Sequence, residues 1–159
     1  MTKEEKLKYI FDAIKRAYPV KKLVFNDGSP ESPVMIIGEA PGKDEEIQGK
    51  PFVGRGGKLL NSTLETLGWK RSDFYVTNIV KYRPQDELGG TLTPVPEEIE
   101  KFRPAVEKEI EIVNPKLIVI LGRIAMAGLG LEGSMAANHG KVIEKKIGAA
   151  DRKILIVYH

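Results

Sequence analysis

The sequence predicts an α/β fold, a three-layer α/β/α sandwich with a central, mostly parallel four-stranded sheet. Four short apolar runs carry this prediction, because continuous apolar segments of this length are typical of parallel strands buried on both faces. They are residues 34–37, 74–77, 117–121 and 154–157. Segments with helical periodicity alternate with the runs, which indicates βαβ crossovers and helices on both faces of the sheet.

The helices are predicted from apolar residues at helical spacing and from residues that begin or end helices. Thr2 and Glu5 form a capping box for the first helix, and Pro19 ends it. Three further helices are predicted at residues 57–67, 96–113 and 122–129. After the first strand a polar loop is predicted up to about residue 54, and residues 141–143 predict the start of a hairpin before the last strand.

Length and composition exclude several classes of protein. A chain of 159 residues with 42% hydrophobic and 30% charged residues predicts a single globular domain. It has no cysteine, which excludes disulfides, thiol nucleophiles and iron–sulfur ligation. No apolar run approaches the ~20 residues that span a bilayer, so we expect a cytoplasmic protein without a membrane partner. The net charge of +3 permits nucleic-acid binding without requiring it.

Common catalytic and nucleotide-binding motifs are missing from the sequence. No glycine-rich phosphate loop of the P-loop or dinucleotide type follows a strand, and there is no G-x-S-x-G elbow. The two histidines, His139 and His159, have no cysteine to help them, so we expect no metal site. These absences disfavour a nucleotide-binding module of the flavodoxin type.

Distinctive motifs follow the predicted strands, where ligands of parallel sheets bind. They are GEAPG at 38–42, QGKPFVGRGGKLL at 48–60, TNIVKYRP at 77–84, Asn114-Pro115-Lys116 with Leu121-Gly122, and Tyr158-His159. Together these motifs resemble the uracil-DNA glycosylase superfamily, and within it the family 4 type of thermophilic prokaryotes. The similarity runs from about Val24 to His159. It implies a monomeric, monofunctional DNA repair enzyme that hydrolyses the N-glycosidic bond of uracil in DNA and leaves an abasic site.

A pocket that reads a flipped uracil needs a donor and an acceptor for the Watson–Crick edge of the base. The carboxamide of Asn78 offers both, and matches the N3–H and O4 of uracil. The resemblance assigns uracil reading to Asn78 and stacking on the base to Phe52, a contact worth ~1–3 kcal/mol. It also places Gly38, Ala40 and His159 against the uracil.

Cleavage of the glycosidic bond passes through an oxocarbenium-like sugar and leaves negative charge on the uracil. By resemblance, His159 donates a hydrogen bond to O2 of the leaving base. Ala40 stands where the superfamily pattern has an aspartate, so Glu39 and Glu45 are the candidates to orient the attacking water. Gly42 stands where other members exclude the thymine methyl, and we expect Glu45 to guard the pocket instead.

Basic residues near the predicted strand ends are candidates for contacts with DNA phosphates, which position the protein without reading sequence. These predicted DNA-binding residues are Lys50, Arg55, Lys58, Lys81, Arg83 and Arg123.

The sequence departs from the family 4 pattern in two ways. Family 4 members carry an iron–sulfur cluster on four cysteines, whereas Tyr82 and Phe102 align with two of these and the other two fall near Lys15 and Tyr18. We therefore expect no cofactor, and apolar packing in place of the cluster. Members also continue past the position of His159, so we expect residues 1–159 to form a single domain of this type with its C-terminal part missing.

Two alternative functions fit the same motifs. One is a non-catalytic member of the superfamily that only binds DNA. The other is a glycosylase for a different deaminated base, such as hypoxanthine.

Overall fold

The computed structural model describes residues 1–158 and contains one five-stranded sheet with the strand order β2-β1-β3-β5-β4. The strands are β1 (Val34–Gly38), β2 (Tyr75–Asn78), β3 (Leu117–Leu121), β4 (Val142–Ile147) and β5 (Ala150–Val157). All neighbouring pairs are parallel except β4 with β5. The α/β class and the mostly parallel sheet are confirmed, whereas the predicted number of four strands is corrected to five.

The additional strand is β4, which pairs with β5 as an antiparallel hairpin at the edge of the sheet. The predicted hairpin start therefore extends into a full strand. Its residues alternate between exposed and partly buried positions, as expected of an edge strand with one face in solvent. Lys145 and Lys146 interrupt the apolar pattern, which is why no continuous apolar run marked this strand.

The helices are α1 (Lys3–Ala17), α2 (Lys43–Gln48), α3 (Arg55–Thr66), α4 (Pro96–Val113), α5 (Arg123–Gly128) and α6 (Met135–Asn138). The capping box of α1 is present: Thr2 accepts from the amide of Glu5, and the Glu5 carboxylate accepts from the amide of Thr2. The polar loop predicted after β1 is wrong in part, because it contains α2. None of the helices within residues 1–158 is both long and apolar enough to span a membrane.

Side chains of β1 alternate between two apolar layers. Met35 and Ile37 pack in the larger cluster with residues of α1, α4 and α5, whereas Ile36 packs with Leu64 of α3 on the opposite face. The sheet is thus covered on both faces, as predicted, and its strand ends are left open to form a site.

Three aromatic side chains join α1 and α4 to the segment that follows β2. The rings of Tyr18 and Phe102 stack with their centroids 5.2 Å apart, and Tyr82 lies 5.6 Å from each of them. Phe102 is only 2% exposed. We call these residues the aromatic trio.

Removal of the central ring should destabilise the fold. Phe102→Ala leaves a cavity between α1 and α4, and we expect it to lower the free energy of unfolding by about 3–5 kcal/mol, measured by urea denaturation. Tyr9→Ala, on the exposed side of α1, is the matched control and should change it by less than about 0.5 kcal/mol. Equal effects of the two substitutions would contradict the structural role of the trio.

Candidate active site

The parallel pairing of β1 with β2 places the ends of the two strands side by side. Their register pairs Gly38 with Asn78, the last residue of each strand. The loops that follow form a pocket of about 230 Å³. Its lining is composed of Glu39, Ala40, Pro41, Gly42, Glu45, Phe52, Gly56, Gly57, Asn78, Thr91 and Leu92. The structure therefore brings together the predicted base-binding residues that it describes, whereas His159 lies outside the described residues.

Gly38 allows the aromatic ring and the carboxamide to reach the same point. A side-chain carbon added at Gly38 would lie 2.3 Å from Cζ of Phe52 and 2.6 Å from Oδ1 of Asn78. Both distances are far below van der Waals contact, so only glycine permits this arrangement. The ring of Phe52 and the carboxamide of Asn78 therefore converge over Gly38.

The backbone of Phe52 adopts an unusual conformation that Arg71 supports. Phe52 has φ of +54°, a left-handed conformation that few non-glycine residues adopt. The Arg71 guanidinium donates hydrogen bonds to the carbonyl oxygens of Pro51 and Phe52, and lies 3.2 Å from a carboxylate oxygen of Asp27. Gly57 allows the first turn of α3 to lie against the backbone of Phe52, because a side-chain carbon at Gly57 would lie 1.9 Å from the Phe52 carbonyl oxygen.

Glu45 joins the two loops that form the pocket wall. Its carboxylate accepts hydrogen bonds from the amides of Gly42 at 3.0 Å, Val53 at 2.8 Å and Gly54 at 2.6 Å. Partial burial opposes ionisation of Glu45, but these amides outweigh burial and lower the pKa of its carboxyl group. Glu45 thus lines the pocket as a carboxylate held by backbone amides.

Glu39 lies between two concavities. It lines the pocket described above and also a neighbouring one at the ends of β1 and β3, together with Leu121, Gly122 and Arg123. Its side chain is half-buried, and within residues 1–158 its carboxylate has no hydrogen-bond or ion-pair partner. Of the two predicted catalytic carboxylates, Glu39 is therefore the one available to a water molecule.

Asn78 is held at the bottom of the pocket and is 2% exposed. In the part of the chain that the structure describes, no side chain or backbone group hydrogen-bonds to its carboxamide. The polar atoms of the carboxamide are not fully enclosed, so they remain open to the pocket and can pair with a ligand or with water.

The structure contradicts the prediction that Lys81 contacts DNA. Its side chain is fully buried, and its ammonium lies 2.7 Å from Glu109 and donates to the carbonyl oxygen of Asn78. Burial lowers the pKa of Lys81, while the neighbouring Glu109 carboxylate opposes that shift. No phosphate can reach this group.

The other predicted DNA-binding residues fall into two groups. Lys50, Arg55, Lys58 and Arg123 are exposed, and Arg55 and Lys58 lie in the first turn of α3, beyond Phe52. Arg83 is mostly buried instead, with its guanidinium 3.4 Å from Glu46 and 2.9 Å from the hydroxyl of Thr91. Arg83 therefore fastens the loop beside the pocket and is poorly placed for phosphate.

Two charged residues that support the pocket residues were not predicted from the sequence. Arg71 gave no signal, because it lies among polar residues of a short connection. Glu109 did give one: it falls on the apolar face of α4, between Val106 and Ile110. A charged residue in that position requires a buried partner.

The fold and the pocket define an α/β protein with a pocket at the ends of two parallel strands, and the comparisons with known proteins identify its family. Residues 25–159 match the model of the uracil DNA glycosylase superfamily, so the chain belongs to that superfamily.

Several type-4 uracil-DNA glycosylases are similar to the chain. That of Archaeoglobus fulgidus is 36% identical over 137 residues, which are 83% of this chain and 67% of the relative. The relative from Pyrobaculum aerophilum is 38% identical over 144 residues, covering 87% of this chain and 71% of its own. The relative from Thermotoga maritima is 36% identical over 166 residues, covering 99% and 83%.

The residues of this chain do not fit an iron–sulfur cluster. Such clusters are held by cysteine thiolates, and the sequence has no cysteine. Tyr82 and Phe102, which the resemblance places at two of the cluster-cysteine positions, carry rings that pack against each other and against Tyr18. Aromatic packing fills the space between these segments.

The ionised Glu45 should make the protein sensitive to acid. Because its pKa in the folded protein is below the ordinary value of 4.5, its contribution to stability is present above pH 4.5 and is lost as the pH falls through the lowered pKa. We expect Glu45→Gln to be less stable than the wild type at pH 7 and to lose less stability on acidification. Urea denaturation of both proteins between pH 7 and pH 3 measures this; parallel curves would contradict it.

Proposed function

We propose that the protein is a monofunctional uracil-DNA glycosylase, which hydrolyses the N-glycosidic bond of uracil in DNA and leaves an abasic site. The observation that carries the proposal is the convergence of the unpartnered Asn78 carboxamide and the Phe52 ring over Gly38. A carboxamide can complement the N3–H and O4 of uracil, and an aromatic ring can stack on the base. The names of the relatives support the same substrate.

In the proposed mechanism, uracil leaves the base stack and enters the pocket, where it stacks on Phe52 and is read by Asn78. The bond between N1 and C1′ breaks and its electron pair stays on the uracil, while the sugar becomes oxocarbenium-like. Backbone N–H groups of the Gly38–Gly42 segment and His159 are proposed to stabilise the charge on the base; Pro41 has no N–H, and that of Gly42 already donates to Glu45. A water molecule then adds to C1′.

Glu39 is the proposed group that orients this water and accepts its proton. It faces both concavities, so one carboxylate can lie beside the base pocket and beside the sugar. Glu45 is proposed to act on the wall instead, since its oxygens already accept from three backbone amides. A wall fixed in this way suits the exclusion of the 5-methyl group of thymine.

The DNA strand is proposed to cross the ends of β1, β2 and β3, with Lys50, Arg55, Lys58 and Arg123 on its phosphates. The proposal includes action as a monomer in the cytoplasm, and no cofactor. Light scattering of the protein alone and with a uracil-containing oligonucleotide tests the oligomeric state.

Loss of the carboxamide should abolish uracil recognition. We expect Asn78→Ala to reduce the single-turnover rate on a labelled oligonucleotide with one uracil by about 100-fold or more, because the buried edge of the base is left unpaired. Alkaline cleavage of the abasic product measures the rate. Tyr9→Ala, at an exposed position of α1 that does not line the pocket, is the control and should leave the rate unchanged.

The same cleavage assay, together with a measurement of DNA binding, separates the proposed function from the two alternative functions. Binding of DNA without any uracil-dependent cleavage would favour a non-catalytic member of the superfamily. Cleavage of a hypoxanthine-containing strand alone would favour a glycosylase for another deaminated base.

The two carboxylates should differ in their effects. Glu39→Gln removes the proton acceptor without changing shape, and we expect the single-turnover rate to fall by about 100-fold or more, while affinity for uracil-containing DNA stays within about threefold. Glu45→Gln should affect the rate less than Glu39→Gln at pH 7. The reverse order would assign the water to Glu45.

A further inference from the structure

A buried polar network lies directly beneath the candidate base-reading residue. The ammonium of Lys81 donates to Glu109 at 2.7 Å, to the hydroxyl of Thr77 at 2.7 Å and to the carbonyl oxygen of Asn78 at 2.6 Å. The Tyr75 hydroxyl donates to the other carboxylate oxygen of Glu109 at 2.6 Å. Lys81, Glu109 and Tyr75 are all fully buried.

Stability alone does not explain this network. Enclosing two charges in an apolar core costs desolvation, and well-packed apolar side chains of similar volume often stabilise a fold as well or better. The surrounding positions of α4, Phe102, Val106 and Ile110, show that this part of the core accepts large apolar groups. The contacts of Lys81 and Glu109 with neighbouring groups therefore point to a role other than stability.

One end of the network contacts the backbone of Asn78, and the other is fixed to α4. Lys81 holds the Asn78 carbonyl oxygen, while the amide of the next residue, Ile79, donates to the carbonyl oxygen of Gly38 at 2.9 Å. The peptide that follows Asn78 is thus held on both sides. Because the Asn78 carboxamide has only two side-chain torsions, fixing this peptide limits where the amide can point.

We propose that Lys81 and Glu109 are positioning residues that orient Asn78 for base recognition, with Tyr75 fixing the Glu109 carboxylate. This inference rests on the proposed function, because it assigns the network a role in uracil excision. The pair touches neither base nor sugar and acts only through Asn78.

The test is a charge-free double variant, Lys81→Met with Glu109→Gln, which leaves no unpaired buried charge and keeps an acceptor for the Tyr75 hydroxyl. Each protein is assayed at a temperature at which it is fully folded by circular dichroism. We expect kcat on a uracil-containing strand to fall by about 10- to 100-fold, because small misplacements of a recognition group have effects of this size. KM should change by less than about threefold, since the phosphate contacts remain. Inhibition by free uracil should weaken together with kcat.

Val106→Ala is the matched control, because it also disturbs the buried face of α4 but has no polar contact with the network. It should lower the melting temperature while leaving kcat and uracil inhibition within about twofold of the wild type. If the double variant behaves like this control, the network is only structural and the inference is overturned.

A milder variant covers failure of the double variant to fold. Tyr75→Phe keeps the ring and removes only its hydrogen bond to Glu109, and we expect kcat to fall by roughly twofold to tenfold with KM unchanged. An unchanged kcat in a folded Tyr75→Phe protein would overturn the proposed role of Tyr75 and the network. If the wild type itself excises no uracil, the proposed function fails, and this inference fails with it; excision by the wild type with an indifferent network overturns the inference alone.

Discussion

The register of β1 against β2 is the constraint on which the pocket depends. Parallel pairing sets Gly38 beside Asn78 at the last residue of each strand, so the chain has a glycine where the carboxamide needs space. The same gap admits the Phe52 ring, which could not approach any residue with a side-chain carbon at position 38. A shift of one residue in this pairing would turn each side chain to the opposite face and separate the three groups.

Around this point, charged side chains bind backbone groups as well as other charged side chains. Glu45 accepts from the amides of both pocket loops, and Arg71 donates to the carbonyl oxygens beside Phe52. Lys81 does the same beneath Asn78. Glu45 and Arg71 fix loop backbone outside the sheet, whereas Lys81 fixes the last residue of β2. The result is a pocket whose loops and lining residues are held by several defined contacts.

Much of this could be predicted from sequence because the signals are local. Apolar runs identified the parallel strands, and the rule that ligands bind at strand ends identified Gly38 and Asn78. Strand β4 was not predicted in full because Glu144, Lys145 and Lys146 interrupt its apolar residues at the edge of the sheet. Lys81 was mistaken for a surface residue because its burial depends on Glu109, a partner on another element. Arg71 likewise acquires its role only when folding brings it to the Phe52 loop, a contact that no local pattern encodes.

The segment after β2 shows how this chain holds its site without thiolate ligands. Three consecutive residues are attached to different parts of the fold. Lys81 pairs with Glu109 of α4, Tyr82 packs on Tyr18 and Phe102 and binds Glu98, and Arg83 pairs with Glu46 of α2. A metal cluster would link such segments through a few strong bonds. Here these segments are linked by ring packing and ion pairs. Because Asn78 lies only three residues before Lys81, the attachments of Lys81, Tyr82 and Arg83 also restrain the position of Asn78.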